Sequence, residues 1–185
     1  MAKALIDRMA PSLPHSLIAR AGIVLAGSLL LALSAKVQVP FWPVPMTLQT
    51  LAVMSIGALF GARLAGATVL AYLIEGAFGL PVFASGAGLA YMTGPTGGYL
   101  LGFLAAAVFA GWAFERGFAR GLIPTLAIFL VAEALIFSAG VLWLAGFTGM
   151  EKALAAGLVP FLPGEALKLG LAALLVSEIR RRFRD

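Results

Sequence analysis

The 185-residue sequence has no cysteine, a single histidine and few charges, with only 11% of its residues Asp, Glu, Lys or Arg. Without cysteine there is no disulfide, no thiolate metal site and no iron–sulfur cluster. The lone His15 stands in a Pro/Ser-rich stretch with no partner at ligand spacing, which reads as a surface residue rather than a metal ligand. The Walker A, G-x-S-x-G and H-E-x-x-H patterns are missing as well, so the chain supplies neither ATPase nor hydrolase chemistry and is not expected to be an enzyme. Soluble domains carry about 25% charged residues. The shortage here excludes a soluble domain, a nucleic-acid-binding domain and a disordered segment.

What the chain has instead is apolar surface, 62% of it hydrophobic residues, with a mean hydropathy of +1.03. A water-soluble globule of this size could not hide so much, because over half of a small protein's surface still faces solvent. The solvent for most of the chain is lipid. A bilayer core of about 30 Å takes ~20 apolar residues per helix, and six spans follow: 17–35, 46–62, 64–79, 97–115, 121–147 and 164–180. The expected fold is thus an all-α integral membrane protein of six transmembrane helices, one domain over 1–185 with a loose lead-in over 1–16. The second and third spans are short, with Gly61-Ala62-Arg63 as a tight connection. Residues 21–35 imitate a secretory signal, but the spans that follow make a retained first helix the simpler reading. The segment 80–96 is uncharged and broken by glycine and proline, too apolar for an ordinary solvated loop.

The net charge of +5 is distributed as a topology signal. Lys3, Arg8, Arg20, Arg63, Arg116, Arg120, Arg180, Arg181, Arg182 and Arg184 fall on one side of this arrangement, leaving only Lys36, Lys152 and Lys168 elsewhere. The positive-inside rule then puts both termini in the cytoplasm, and an even number of spans agrees. Charges inside a membrane cost about 2.5–3.5 kcal/mol each at a helix centre and default to functional hypotheses. At helical rise Glu75 sits about 18 Å above Arg63, Gln49 about 21 Å above it, and Glu133 about 20 Å above Arg120. Glu165 and Lys168 lie roughly 16–25 Å above the C-terminal arginines, three residues apart on one helix face. All reach the outer half of the membrane, which predicts a pocket open to the outside. Glu133 reads equally as a packing group hydrogen-bonded to a neighbouring helix. Phe41 and Trp42 in the linker 37–48, with Phe83 and Tyr91 in 80–96, suit either an interfacial aromatic belt or an apolar lid. The site fits a small amphipathic molecule with an apolar body and an anionic or hydrogen-bonding end.

Small residues recur at four-residue spacing in Gly22-x-x-x-Ala26, Ser28-x-x-x-Ala32, Gly57-x-x-x-Gly61 and Gly98, Gly102, Ala106, Ala110. Such stripes let helices approach closely. With no nucleotide site in the chain, they leave room for a partner subunit.

The segments Val44-Pro45-Met46-Thr47-Leu48-Gln49-Thr50, Gly79-Leu80-Pro81-Val82-Phe83-Ala84, Gly94-Pro95-Thr96-Gly97-Gly98-Tyr99-Leu100-Leu101-Gly102-Phe103 and Pro163-Gly164-Glu165-Ala166-Leu167-Lys168 occur in that order. Together they resemble BioY, the biotin-binding S components of energy-coupling factor (ECF) transporters. The resemblance covers nearly the whole chain. It implies a multi-pass protein of the bacterial cytoplasmic membrane that captures biotin on its outer side, with biotin as cargo and no cofactor. It also implies a transmembrane coupling subunit and two ABC-type ATPase subunits as partners. In that family a Pro-Gly-Asp-x-x-Lys element contacts biotin; Glu165 and Lys168 match its positions, with Glu in place of the usual Asp. The expected substrate-binding set is Lys168, Glu165, Gln49, Thr47, Glu75, Phe83, Tyr91, Trp42, Gly97 and Tyr99, and Gly22 and Ala26 are expected to meet the coupling subunit. Two alternatives stay open: an S component for another vitamin, and a proton-coupled secondary transporter working through Glu75 and Glu133.

Overall fold

The chain enters its first helix at Ser16, whose side chain accepts the Ala19 N–H at 3.2 Å and so satisfies one of the free donors at a helix start. The computed structural model describes residues 16–183; residues 1–15 of the expected lead-in 1–16, with Lys3, Arg8 and His15, lie outside them, as does Arg184. Helix α1 is Leu17–Lys36. A two-stranded antiparallel ribbon follows, β1 (Gln38–Val39) with β2 (Met46–Thr47), in the register Gln38↔Thr47 and Val39↔Met46. Then come α2 (Gln49–Ala77), the short α3 (Gly88–Met92), α4 (Gly97–Glu115), α5 (Leu122–Thr148), the short α6 (Met150–Gly157), a 3-10 turn at Val159–Phe161, and α7 (Leu162–Arg182).

α2 is two helices in one. Gly61 takes φ 77°, ψ 168°, a combination that is essentially restricted to glycine, and the helix breaks there. The chain reverses at that break: Gln49 Nε2 donates to the Tyr72 hydroxyl at 2.7 Å, whereas 23 residues of continuous helix would hold them about 34 Å apart. The expected second and third spans are therefore a helical hairpin with Arg63 exposed at its tip. The second arm begins with the Ala62 N–H donated to Glu115 Oε1 at 3.2 Å. Among the described residues five helical stretches are long and apolar enough to cross a membrane when α2 is taken whole, and the hairpin makes six.

Packing relies on bare backbone. A Cβ at Gly57 would stand 2.9 Å from the Ala107 carbonyl oxygen, and one at Gly111 would stand 2.4 Å from the Ala62 nitrogen. α4 thus lies against both arms of the hairpin, as the small-residue stripes anticipate. At one end of the bundle Arg180 donates to the Ala119 carbonyl and covers the Phe114 ring at 5.2 Å, beside Arg116, Arg120, Arg181 and Arg182. The opposite end carries the ribbon, the 80–96 segment and α6. That last element stands where the sequence reads as a plain connection between the fifth and sixth spans.

Candidate functional site

At the end away from the arginines, β2 and the first turn of α2 meet the first turn of α7. Lys168 Nζ donates to Glu165 Oε1 at 2.5 Å and to the Thr47 carbonyl at 2.7 Å. The other Glu165 oxygen accepts the Thr50 hydroxyl at 2.7 Å. Thr47 Oγ1 in turn meets Gln49 Oε1 at 3.2 Å and accepts the Gln49 N–H at 3.3 Å. Gln49, Thr50, Glu165 and Lys168 are all buried. A buried charge is tolerable when it is paired and further hydrogen-bonded, and this knot pairs Glu165 with Lys168 and gives each one further partner, Thr50 and the Thr47 carbonyl.

The knot forms one wall of a narrow cleft with an open volume of about 50 Å³. Thr47, Gln49, Thr50 and Glu165 line its polar side, and Tyr91, Tyr99, Phe103, Phe137 and Phe161 line the other. Three of these rings, with Phe41 beyond the lining, form a series of edge-to-face contacts. Phe41 meets Phe161 at 5.9 Å, Phe161 meets Phe137 at 6.0 Å, and Phe137 meets Tyr99 at 6.1 Å. The Tyr99 hydroxyl is satisfied by the Gly157 carbonyl at 2.8 Å, which ties α6 to α4. Such a cleft can hold a flat apolar body against the rings while hydrogen-bonding its polar edge from the opposite wall.

The 80–96 segment closes one side of the cleft. Phe83 is fully buried, stacked on Tyr91 at 5.1 Å and edge-on to Tyr72 at 5.4 Å. Its carbonyl accepts Lys36 Nζ at 2.6 Å, so Lys36 anchors this segment to α1 rather than snorkelling freely. Gly76 gives Phe83 its seat, since a Cβ there would lie 2.0 Å from the ring.

Of the expected substrate-binding residues, Gln49, Thr47, Glu165, Tyr91 and Tyr99 line the cleft, and Lys168 stands directly behind Glu165. Four take other places. Glu75 accepts the Ser28 hydroxyl at 2.7 and 3.0 Å on its two oxygens, fastening α1 to the hairpin outside the cleft lining. Trp42 is 86% exposed on the ribbon turn. Phe83 supports Tyr91 from below instead of facing the cleft. A Cβ at Gly97 would fall 1.9 Å from the Met92 carbonyl oxygen, so Gly97 serves the close passage of α3 over α4. Sequence reasoning passes over Thr50, Tyr72, Phe103, Phe137 and Phe161. Thr50 follows Gln49 directly, and Phe137 lies one helical turn beyond Glu133, so spacing from the polar residues could have found both.

A family model described as the BioY family matches residues 8–185. The probable biotin transporter BioY of Pyrococcus horikoshii is 35% identical over 152 residues, 82% of this chain and 90% of that protein. The biotin transporter BioY2 of Lactococcus lactis is 36% identical over 149 residues, 79% of this chain and 81% of that protein. The biotin transporter BioY of Thermotoga maritima is 34% identical over 164 residues, covering 88% and 94%. Among solved structures, the S-component for biotin from an ECF-type ABC transporter superposes with a TM-score of 0.77 at 24% identity, over 89% of this chain and 92% of that one. At that identity the likeness speaks for the fold.

Proposed function

This chain belongs to the BioY family, and from that premise we propose that it is the membrane subunit that captures biotin for an ECF transporter. The observation that carries the reading is the two-walled cleft. Biotin offers a ureido group with two N–H donors and one carbonyl acceptor, a thioether bicycle, and a chain ending in a carboxylate. The polar wall answers with Glu165 and Gln49 oxygens as acceptors and the Gln49 amide as donor, while Lys168 and Thr50 hold the Glu165 carboxylate in place. The aromatic wall receives the bicycle and the chain.

With the arginine end in the cytoplasm, the cleft faces the cell exterior, and the 80–96 segment and the ribbon cover it. No nucleotide-binding motif occurs in the sequence, so energy comes from partners: a transmembrane coupling subunit and two ABC-type ATPases that reorient this subunit until the cleft opens inward. The purified chain, titrated with biotin and followed by tryptophan fluorescence or calorimetry, is expected to bind biotin in preference to thiamine, riboflavin and niacin. Failure to bind biotin would overturn the reading.

Gly22 and Ala26 are both exposed on α1, and a Cβ at Gly22 meets nothing within 4 Å. Leu25 and Leu29 beside them are 60% and 59% exposed. This face of α1 is the one we assign to the coupling subunit. Gly22→Leu is accordingly expected to leave biotin affinity unchanged while the coupling subunit no longer co-purifies with the chain. Retention of the assembly would remove this face from the interface.

A further inference from the structure

Among the described residues, Glu133 is the one buried carboxyl that the cleft leaves out. It sits in the middle of α5, 6% exposed, and neither of its oxygens has a hydrogen-bond donor among those residues. Its side chain lines a groove between α5 and the α6–α7 segment. Six leucines make up much of that groove, and Ser138 and Glu165 are its other polar residues. Glu133 shares this groove with Glu165 of α7, whose carboxylate is paired with Lys168 at 2.5 Å. From α4 the titratable group on this side is Tyr99, whose hydroxyl is already committed to the Gly157 carbonyl. Glu151 and Lys152 of α6 are exposed at the rim.

The donors around Glu165 are all spoken for: Lys168 occupies one oxygen and Thr50 the other. Two ionised carboxylates beside one ammonium would leave a net negative charge in an apolar setting, with Glu133 bearing no donor at all, and a buried charge of that kind is strongly disfavoured. A single proton between the two carboxyls removes both problems. It makes the cluster neutral and turns Glu133 from an orphaned acceptor into a donor aimed at Glu165.

We propose that Glu133 is present as the neutral acid and donates its O–H to Glu165, a positioning residue that holds Glu165 in the polar wall of the cleft. Glu133 faces the groove and Glu165 faces both the groove and the cleft, so Glu133 acts on the ligand only through Glu165. The inference rests on the biotin reading for its binding test but not for its spectroscopic one. Glutamine keeps a donor of the same reach, whereas leucine keeps only the volume. In the full chain at neutral pH, Glu133→Gln is expected to bind biotin within about threefold of the parent, and Glu133→Leu to bind about tenfold or more weakly, the scale of one lost charge-assisted hydrogen bond. Infrared difference spectroscopy of the parent against Glu133→Gln is expected to show the carbonyl stretch of a protonated carboxyl lost in the variant. Absence of that band overturns the proposal. So does equal behaviour of the two variants in binding, whether both bind as the parent or both fail alike. If the parent itself does not bind biotin, the functional reading falls while the infrared measurement still decides the state of Glu133.

Discussion

Lys168→Ala is expected to weaken biotin binding at least ~100-fold, the largest effect of any single change in the cleft. The ammonium joins three elements at once, Glu165 on its own helix, the Thr47 carbonyl of β2 and, through Glu165, Thr50 of α2. Removing one partner of a buried ion pair costs the fold about 3–5 kcal/mol because the other charge is left behind, so Glu165 must move or take a proton and the acceptor that the ligand meets is lost. The polar wall would also lose the charge that holds the Glu165 carboxylate in place. Calorimetric titration checks the affinity. Thermal melting of the ligand-free variant separates loss of the wall from loss of the fold, and Lys168→Met, which keeps the bulk of the stem, should bind as poorly while melting closer to the parent. An affinity in Lys168→Ala equal to the parent's would mean that the knot is not part of the binding wall.

Gly98→Leu is expected to abolish binding by a different route. A Cβ at Gly98 would stand 2.3 Å from Trp143 Cβ and 2.4 Å from the Ala139 carbonyl oxygen. Those are atoms of the α5 backbone or fixed to it, so the two helices must separate. Gly102, one turn further along α4, is also close to the α5 backbone, its Cβ position 2.7 Å from Ile136 Cα, so the wedge cannot be absorbed by tilting about that point. Tyr99, Leu100 and Phe103 line the cleft from one side of this seam, and Ile136 and Phe137 from the other. Overpacking of this kind costs about 1–3 kcal/mol and more when only backbone can yield. Loss of both biotin binding and melting temperature is the expected result. Gly146, also on α5 but with open space for 4 Å around the place its Cβ would take, is the matched control, and Gly146→Leu should leave both unchanged.

The depth of each polar residue is legible in the sequence because helical rise converts spacing from a flanking arginine into height. Thr47, Gln49, Glu165 and Lys168 converge at the height so obtained. Height says nothing about direction around the helix axis. Tyr72 and Glu75 differ by three residues, about 60° around the axis, and that is enough to turn Tyr72 toward Gln49 and Glu75 toward Ser28 on α1. The aromatic wall is hidden for a related reason. In a helix that is apolar on every side, as α5 is, residues facing lipid and residues facing the core carry the same composition, so periodicity does not mark which Phe turns inward. The reversal at Gly61 is readable because only a tight connection fits between two short spans. Its backbone conformation, with helix running right up to the break on both sides, is not.

That reversal leaves the hairpin short. The first arm, from Gln49 to the break, contains twelve residues and rises about 18 Å in a hydrocarbon layer of about 30 Å. No residue from Gln49 to Phe60 is exposed, so neighbouring helices shield the arm and the lipid need not thin around it. A helix too short to span by itself is thus held by protein contacts, and its length is set by the fold rather than by the thickness of the bilayer.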